Sequence, residues 1–341
     1  GLQAGMELAL DGTTGLLATD LAAHIYPHES LVAGGVLATR DGEVVTLRVS
    51  ARSHRAVQHA VDSGADAIGL LRSEFLIPED EQLPDAAFYH TAFRKLCETA
   101  AGLPLTIRLF DVAASKRPSW LSLGPADAGV LGRQGVRLYA DEPVHSIYLA
   151  QLQAIAELAP EFEVQVLLPY VADLAELQSW HDDIKRQFVY PLSIGAMAET
   201  PAAALQLREW LEVVEFVAIG CNDLMQCLFG ADRDVPELRR YLDWYSPALY
   251  RFLRQVADTV KDRLDAVQLC GVLPQLPGIL PLLLGLGYRV FSVEATLLSH
   301  LRSTIAGTHA GEARILAERV CQAHSSAAVR EVLGQTGHWQ S

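Results

Sequence analysis

No segment of this chain stays apolar for long enough to cross a bilayer. The densest stretch, Ile279 to Leu286 (ILPLLLGL), falls far short of the about 20 residues a spanning helix requires, and nothing at the start of the sequence reads as a signal peptide. Runs of Lys and Arg are equally absent, and the formal net charge is −14. That excludes the electrostatic footprint of a protein that binds nucleic acid or an anionic membrane. Cysteine is sparse: Cys97, Cys221, Cys227, Cys270 and Cys321 form an odd, scattered set with no CxxC pair, which speaks against a disulfide framework and against a zinc site. Free thiols suit a reducing compartment, so a cytoplasmic location is expected. Most of these thiols are expected to be buried packing residues. Neither GxGxxG nor a Walker sequence occurs, which removes the commonest dinucleotide and nucleotide loops.

What remains is the composition of a soluble enzyme-sized body, half hydrophobic and one-fifth charged. A length of 341 residues exceeds most single domains, but (β/α)8 barrels of about 250 residues and more are routinely one unit. Residues 1 to 35 carry two β-like pieces, MELAL and GLLAT, around Asp11-Gly12, then a looser stretch with Pro27 and Gly34-Gly35. From Thr46 onward, eight short apolar runs alternate with helical patterns: 46–51, 67–74, 105–112, 163–170, 192–199, 216–223, 266–273 and 288–295. Between them HRAVQHAVDSG, DLAELQSWHDDIKRQF, AAALQLREWLEVV and ALYRFLRQVADTVKDRL repeat apolar residues three and four apart. Eight strands with helical crossovers predict an α/β fold closed as a TIM barrel, with the tail from about residue 307 added as helical packing.

The active site of such a barrel lies at the C-terminal ends of its strands, and the predicted strand ends hold charged residues. Arg72 and Glu74 close the second, Arg108 and Asp111 lie in the third, Glu199 closes the fifth, Asn222-Asp223 close the sixth and Cys270 nears the end of the seventh. Burying a charge in an apolar strand costs several kcal/mol unless it is paired or used. Glu199 and Asp223 are hard oxygen donors of the kind Mg²⁺ takes alongside substrate oxygens. Arg72, Arg108 and Arg233 offer the forked donors that phosphate and carboxylate recognition favours. The set describes a site for a small, anionic, metal-bound substrate.

The blocks GADAIGLLRSEFL, LTIRLFDVAASK, LGRQGVRLYADEP, IGAMAETPAAAL, AIGCNDLMQCLFGADR, YSPALYRFLRQV, LCG and LLLGLGYRVFSVEA resemble, in order and nearly end to end from Gly35, the phosphoenolpyruvate-binding barrel of Enzyme I of the bacterial phosphotransferase system. Pyruvate phosphate dikinase and phosphoenolpyruvate synthase share that barrel. The resemblance implies a phosphotransferase that takes phosphoenolpyruvate and Mg²⁺, passes the phosphoryl group to a histidine on a separate swivelling domain and releases pyruvate. It implies phosphate contacts at Arg72, Arg108 and Arg233, a further cationic contact at Lys116, a substrate contact at Asn222, metal ligands at Glu199 and Asp223, and a proton donor at Cys270. A thiol suits that last role, since its ordinary pKa of about 8.5 leaves it protonated at neutral pH. A downstream phosphocarrier protein and a homodimer are implied in the same way.

The family's glycine-rich Thr-Ser-His phosphorylation motif is absent; Ser53-His54 and Ser299-His300 lack its flanking glycines and read as ordinary residues. GMELALDGTTGLLATD resembles the last strands of the swivelling domain, so residues 1–35 are expected to be a remnant of that domain with its linker, residues 36–341 the barrel, and the chain a piece of a longer protein. Departures cluster on one side of the site. Ala113-Ala114 replace paired glycines, Gln134 an arginine, Cys221 a threonine and Val272 the glutamate of a Cys-Gly-Glu loop, which continues as Pro274-Gln275-Leu276-Pro277. These changes motivate a second reading, a sensing or dimerising module that binds phosphoenolpyruvate or pyruvate without turnover. A third reading is a metal-dependent aldolase or lyase acting on a pyruvate enolate through the same two carboxylates.

Overall fold

The computed structural model describes residues 9–11, 16–18, 36–77, 83–112, 117, 118, 120, 121, 131, 133–188 and 191–334. Strands β1 (Ala9–Asp11) and β2 (Leu16–Ala18) pair antiparallel as a short ribbon, in register Ala9 to Ala18. These are the two β-like pieces expected from the sequence; the rest of the first 35 residues lies outside the described set.

Eight parallel strands then close into the expected barrel: β3 (Thr46–Ala51), β4 (Ala67–Arg72), β5 (Leu105–Arg108), β6 (Val164–Val171), β7 (Ser193–Ala198), β8 (Phe216–Gly220), β9 (Val267–Cys270) and β10 (Val290–Val293). Neighbours in sequence are neighbours in space, and β10 pairs with both β9 and β3 to complete the ring. Between them run α1 (His54–Asp62), α2 (Ala86–Thr99), α3 (Val144–Leu158), α4 (Leu174–Gln187), α5 (Pro201–Ala204), α6 (Leu207–Trp210), α7 (Cys221–Phe229), α8 (Pro247–Thr259), α9 (Ile279–Gly285) and α10 (Leu298–Gly307). Several starts are written in the sequence. Ser53, Asp85 and Asp173 cap α1, α2 and α4 by accepting a backbone N–H three residues on. Among the described residues no helix is long and apolar enough to cross a membrane.

Six of the eight barrel strands end earlier than their apolar runs suggested, while β3 ends with its run and β6 one residue beyond it. The second run, read to residue 74, stops at Arg72, and Ser73–Leu76 turn as a 3₁₀ helix. The sixth, read to residue 223, stops at Gly220, which places Asn222 and Asp223 in the first turn of α7 rather than in a strand. Ladder pairing ends where each chain must leave the barrel, whereas buried side chains continue into the turn that follows, so hydrophobicity overruns the strand. The stretch AAALQLREWLEVV, read as one helix, is two single turns, α5 and α6. The tail forms α11 (Ala310–Gln322) and α12 (Ser326–Val332) as expected. Gly285 lets α9 and α11 touch, since a Cβ there would sit 2.0 Å from the Ala313 carbonyl oxygen.

Two cores result. The larger lies between strands and helices, and a smaller one of Leu70, Leu167, Met197, Phe216, Ala218 and Cys270 fills the lumen. The lumen also holds polar side chains: Gln268 donates across the barrel to the Gly69 carbonyl at 2.9 Å, Arg48 donates to Gln268 at 3.4 Å, and Ser50 meets Ser292 at 3.0 Å. Gly195 is required beside Phe216, because an added Cβ would lie 2.4 Å from two ring carbons. Gly195→Ala is therefore expected to destabilise the protein by about 1–3 kcal/mol, with part of the loss recovered by Phe216→Leu in the same chain. Guanidinium denaturation of the single and double variants checks this; a wild-type midpoint for Gly195→Ala would show that Phe216 does not fill that space.

Candidate active site

At the C-terminal rim the strands leave a cavity of about 380 Å³. Arg72, Arg108, Glu199, Asn222, Asp223, Arg233 and Cys270 all line it, so seven of the eight residues singled out from the sequence meet there. Lys116 lies outside the described residues, as do Ala113 and Ala114.

Arg108, the last residue of β5, is 5% exposed. It is held between two carboxylates, Glu74 Oε1 at 2.5 Å and Asp111 Oδ2 at 2.8 Å. Burial alone would lower the pKa of its guanidinium, but Glu74 and Asp111 more than reverse that, so the charge is fixed. The same Glu74 oxygen also accepts from Arg72 Nε at 2.9 Å. One carboxylate thus sets the spacing of two guanidinium groups. Asp111 is anchored in turn by the Gly135 N–H at 3.0 Å.

Glu199 follows β7 directly, because Thr200 caps α5 and Pro201 starts it. Its side chain is 2% exposed, and Oε2 accepts the Tyr170 N–H at 3.0 Å, a bond that Tyr170 delivers from a positive φ of 51°. Gly220 makes room for it: a Cβ there would lie 2.5 Å from Glu199 Oε1. Asp223 is reached by Gln226 Nε2 at 2.8 Å and by Arg233 at 3.5 Å, and Gln226 Oε1 accepts the Arg233 N–H at 2.8 Å. Burial, then Asp223 and Asp111, pushes the Glu199 carboxyl upward; burial also raises Asp223 against the pull of Arg233. Two enclosed carboxylates whose proton affinity is raised, mainly by burial, form an acidic pair that a divalent cation would relieve. Among the described residues there is no cluster of three or more His, Cys, Asp or Glu that could cage a metal. A cation held by this pair would complete its shell with water or substrate oxygens, as Mg²⁺ commonly does.

Cys270 closes β9 and is 2% exposed. Its thiol donates to the Ile219 carbonyl at 3.3 Å, and burial, then Cys221 and Glu199, raises its pKa well above the ordinary value. It is a protonated thiol at neutral pH. Gly271 follows with φ of 98°, and a Cβ there would lie 2.8 Å from Asn222 Oδ1, the atom that accepts the Val272 N–H at 3.1 Å. Cys97, Cys221 and Cys321 are buried as expected, and Cys227 is half-buried.

Three residues of the mouth escaped the sequence reading: Arg52, Gln275 and Glu294 line the same cavity. Arg52 pairs with Glu294 at 2.9 Å. A signal was present, since Arg52 and Glu294 each stand one residue past the end of a barrel strand, β3 and β10, the positions at which charged residues marked the other strands. Gln134, in contrast, stands just before the 3₁₀ turn Gly135–Leu138, does not line the cavity and engages the Tyr170 hydroxyl. Ser53 is spent as the cap of α1, His54 bonds Thr99, and Ser299-His300 lie within α10.

Comparison with known proteins agrees with this geometry. A phosphoenolpyruvate-protein phosphotransferase of Streptomyces coelicolor is 33% identical over 315 residues, covering 89% of this chain and 56% of that protein. One from Haloferax volcanii is 29% identical over 346 residues, covering 96% of this chain and 61% of the relative. Multiphosphoryl transfer protein 1 of Escherichia coli is 25% identical over 354 residues, 97% of this chain and 42% of that protein. The chain thus spans about half the length of these curated relatives. The model of the PEP-utilising enzyme, PEP-binding domain family matches residues 32–310, which covers the whole barrel, and the chain belongs to that family.

Proposed function

We propose that this barrel binds phosphoenolpyruvate with Mg²⁺ and serves as the substrate-binding part of a phosphoenolpyruvate-protein phosphotransferase. What carries the reading is the convergence of three arginines, two carboxylates and a protonated thiol on one cavity of about 380 Å³. Arg72 and Arg108, spaced by Glu74, bind the phosphoryl group together with Arg233, and Asn222 contacts the substrate. Lys116 belongs to the same reading as a further phosphate contact. Glu199 and Asp223 would hold Mg²⁺, which when bound supplies positive charge against the phosphate and enolate oxygens.

In the transfer, a histidine nitrogen of a swivelling domain attacks phosphorus and the bond to the enol oxygen breaks, leaving the enolate of pyruvate. The Cys270 S–H gives its proton to the methylene carbon, pyruvate leaves, and water reprotonates the thiolate. A thiol whose pKa is raised by burial is a firm holder of that proton until the basic enolate carbon forms beside it. The sequence carries no glycine-flanked Thr-Ser-His motif, and on this reading the acceptor histidine belongs to a separate swivelling domain. Use as a lyase explains the arginine set less well, and a sensing module without turnover is less favoured because the relatives named above are phosphoryl transfer proteins.

Supplied with a swivelling domain, Mg²⁺ and phosphoenolpyruvate, the chain is expected to yield phosphohistidine and pyruvate; cleavage of a carbon–carbon bond in a 2-oxo acid, or substrate binding with neither product, contradicts the proposal. Cys270→Ala is expected to bind phosphoenolpyruvate as the wild type does while pyruvate formation falls by about 10²-fold or more. Unchanged turnover removes Cys270 from the mechanism. Arg108→Met is expected to weaken phosphoenolpyruvate binding by roughly 10- to 100-fold, the equivalent of one lost charge-assisted hydrogen bond. Calorimetric titration measures it, and a loss under about threefold places the phosphate elsewhere.

A further inference from the structure

We infer that Gln275 is a positioning residue that holds Cys270 in the cavity. The inference rests on the reading in which Cys270 is the proton donor. The loop after β9 is clamped from both sides. On one side Gln275 Nε2 donates to the Gly271 carbonyl at 2.7 Å, and Gln275 Oε1 accepts the Glu294 N–H at 3.0 Å. One amide thereby ties the residue next to the thiol to the end of β10. Glu294 is fixed in turn by Arg52 at 2.9 Å, a residue past the end of β3. On the other side Asn222 accepts the Val272 N–H at 3.1 Å from the first turn of α7.

The clamp acts where the backbone is least constrained. Gly271, at φ of 98°, is the joint between the last ladder residue of β9 and the Val272–Gln275 segment. Without a bond to its carbonyl the joint is held only from the Asn222 side, and Cys270 would turn with it. Val272 takes part through its backbone N–H, while its side chain stands 42% exposed. A carboxamide is the group this arrangement needs, since one end must donate to a carbonyl and the other accept from an N–H. The Arg52–Glu294 pair is half-exposed and screened, so its share lies in orienting Glu294 rather than in binding energy.

The test uses Gln275→Ala and Gln275→Glu in the full chain, with peptide mapping after iodoacetamide and steady-state kinetics with the added swivelling domain. Glutamate keeps the acceptor toward the Glu294 N–H and loses the donor toward Gly271. In both variants Cys270 alkylation is expected to rise by about fivefold or more as the loop opens, with Cys227 labelling unchanged. Pyruvate turnover is expected to fall roughly tenfold with the phosphoenolpyruvate KM constant within about twofold. Unchanged Cys270 labelling overturns the inference, as does a raised KM at constant kcat, which would make Gln275 a substrate contact. Fast labelling in Gln275→Ala alone also overturns it, because the Gly271 bond would then not be what holds the loop. If the wild type itself forms no pyruvate, the phosphotransferase reading fails, and the labelling of the two variants alone decides whether the clamp exists.

Discussion

A full positive charge at the inner rim of a barrel is the constraint around which this site is arranged. Arg108 is almost wholly buried, and a lone guanidinium in that position would carry a desolvation cost of several kcal/mol. Glu74 and Asp111 neutralise it, and each of these is itself constrained: Glu74 by Arg72, Asp111 by the Gly135 N–H. Beneath them Gln151 of α3 accepts the Phe110 N–H at 2.7 Å and donates to Ser73 at 2.9 Å, joining the segment after β5 to the turn after β4. The network fixes the position of each guanidinium before any ligand arrives. Preorganised charge of this kind needs little rearrangement when an anion binds.

The opposite wall carries the complementary problem. Glu199 and Asp223 are enclosed carboxylates whose proton affinity burial raises, and no all-protein cage resolves it among the described residues. Arg72 and Arg108 on one side, and an acidic pair with Arg233 beside it on the other, leave room for a ligand that is both an anion and a partner for a divalent cation. A chain of net charge −14 attracts such an anion only at short range, so the local cluster must act against the overall field.

Much of this was legible in the sequence. All eight barrel strands stand where apolar runs alternated with helical patterns, and most of the residues that interrupted those runs turned out to share one cavity, while Glu74 and Asp111 pair with Arg108 of its lining. The ends of elements were not legible in the same way. Asn222 and Asp223 continue the apolar run of β8 but belong to α7, because burial persists after ladder pairing stops. The role of Gln275 was missed because its work is done through backbone partners: a glutamine between two prolines gives no sign that its amide spans Gly271 and Glu294. The departures at Gln134 and Val272 also read differently in three dimensions. Gln134 faces Tyr170 and stands away from the cavity, and the loop bearing Val272 is secured by main-chain bonds. The sequence marked the rim by its charges, while the parts held by amides needed coordinates.

The central claim is that the arginine side and the carboxylate side form one site, so that the anion and the cation bind together. Titrating phosphoenolpyruvate into the chain with Mg²⁺, and again in excess chelator, tests this directly. The account predicts binding that weakens by about tenfold or more without the metal, and a metal dependence that disappears in Glu199→Gln. Equal affinity with and without Mg²⁺ in the wild type would contradict it, and would mean that Glu199 and Asp223 take no part in holding the substrate.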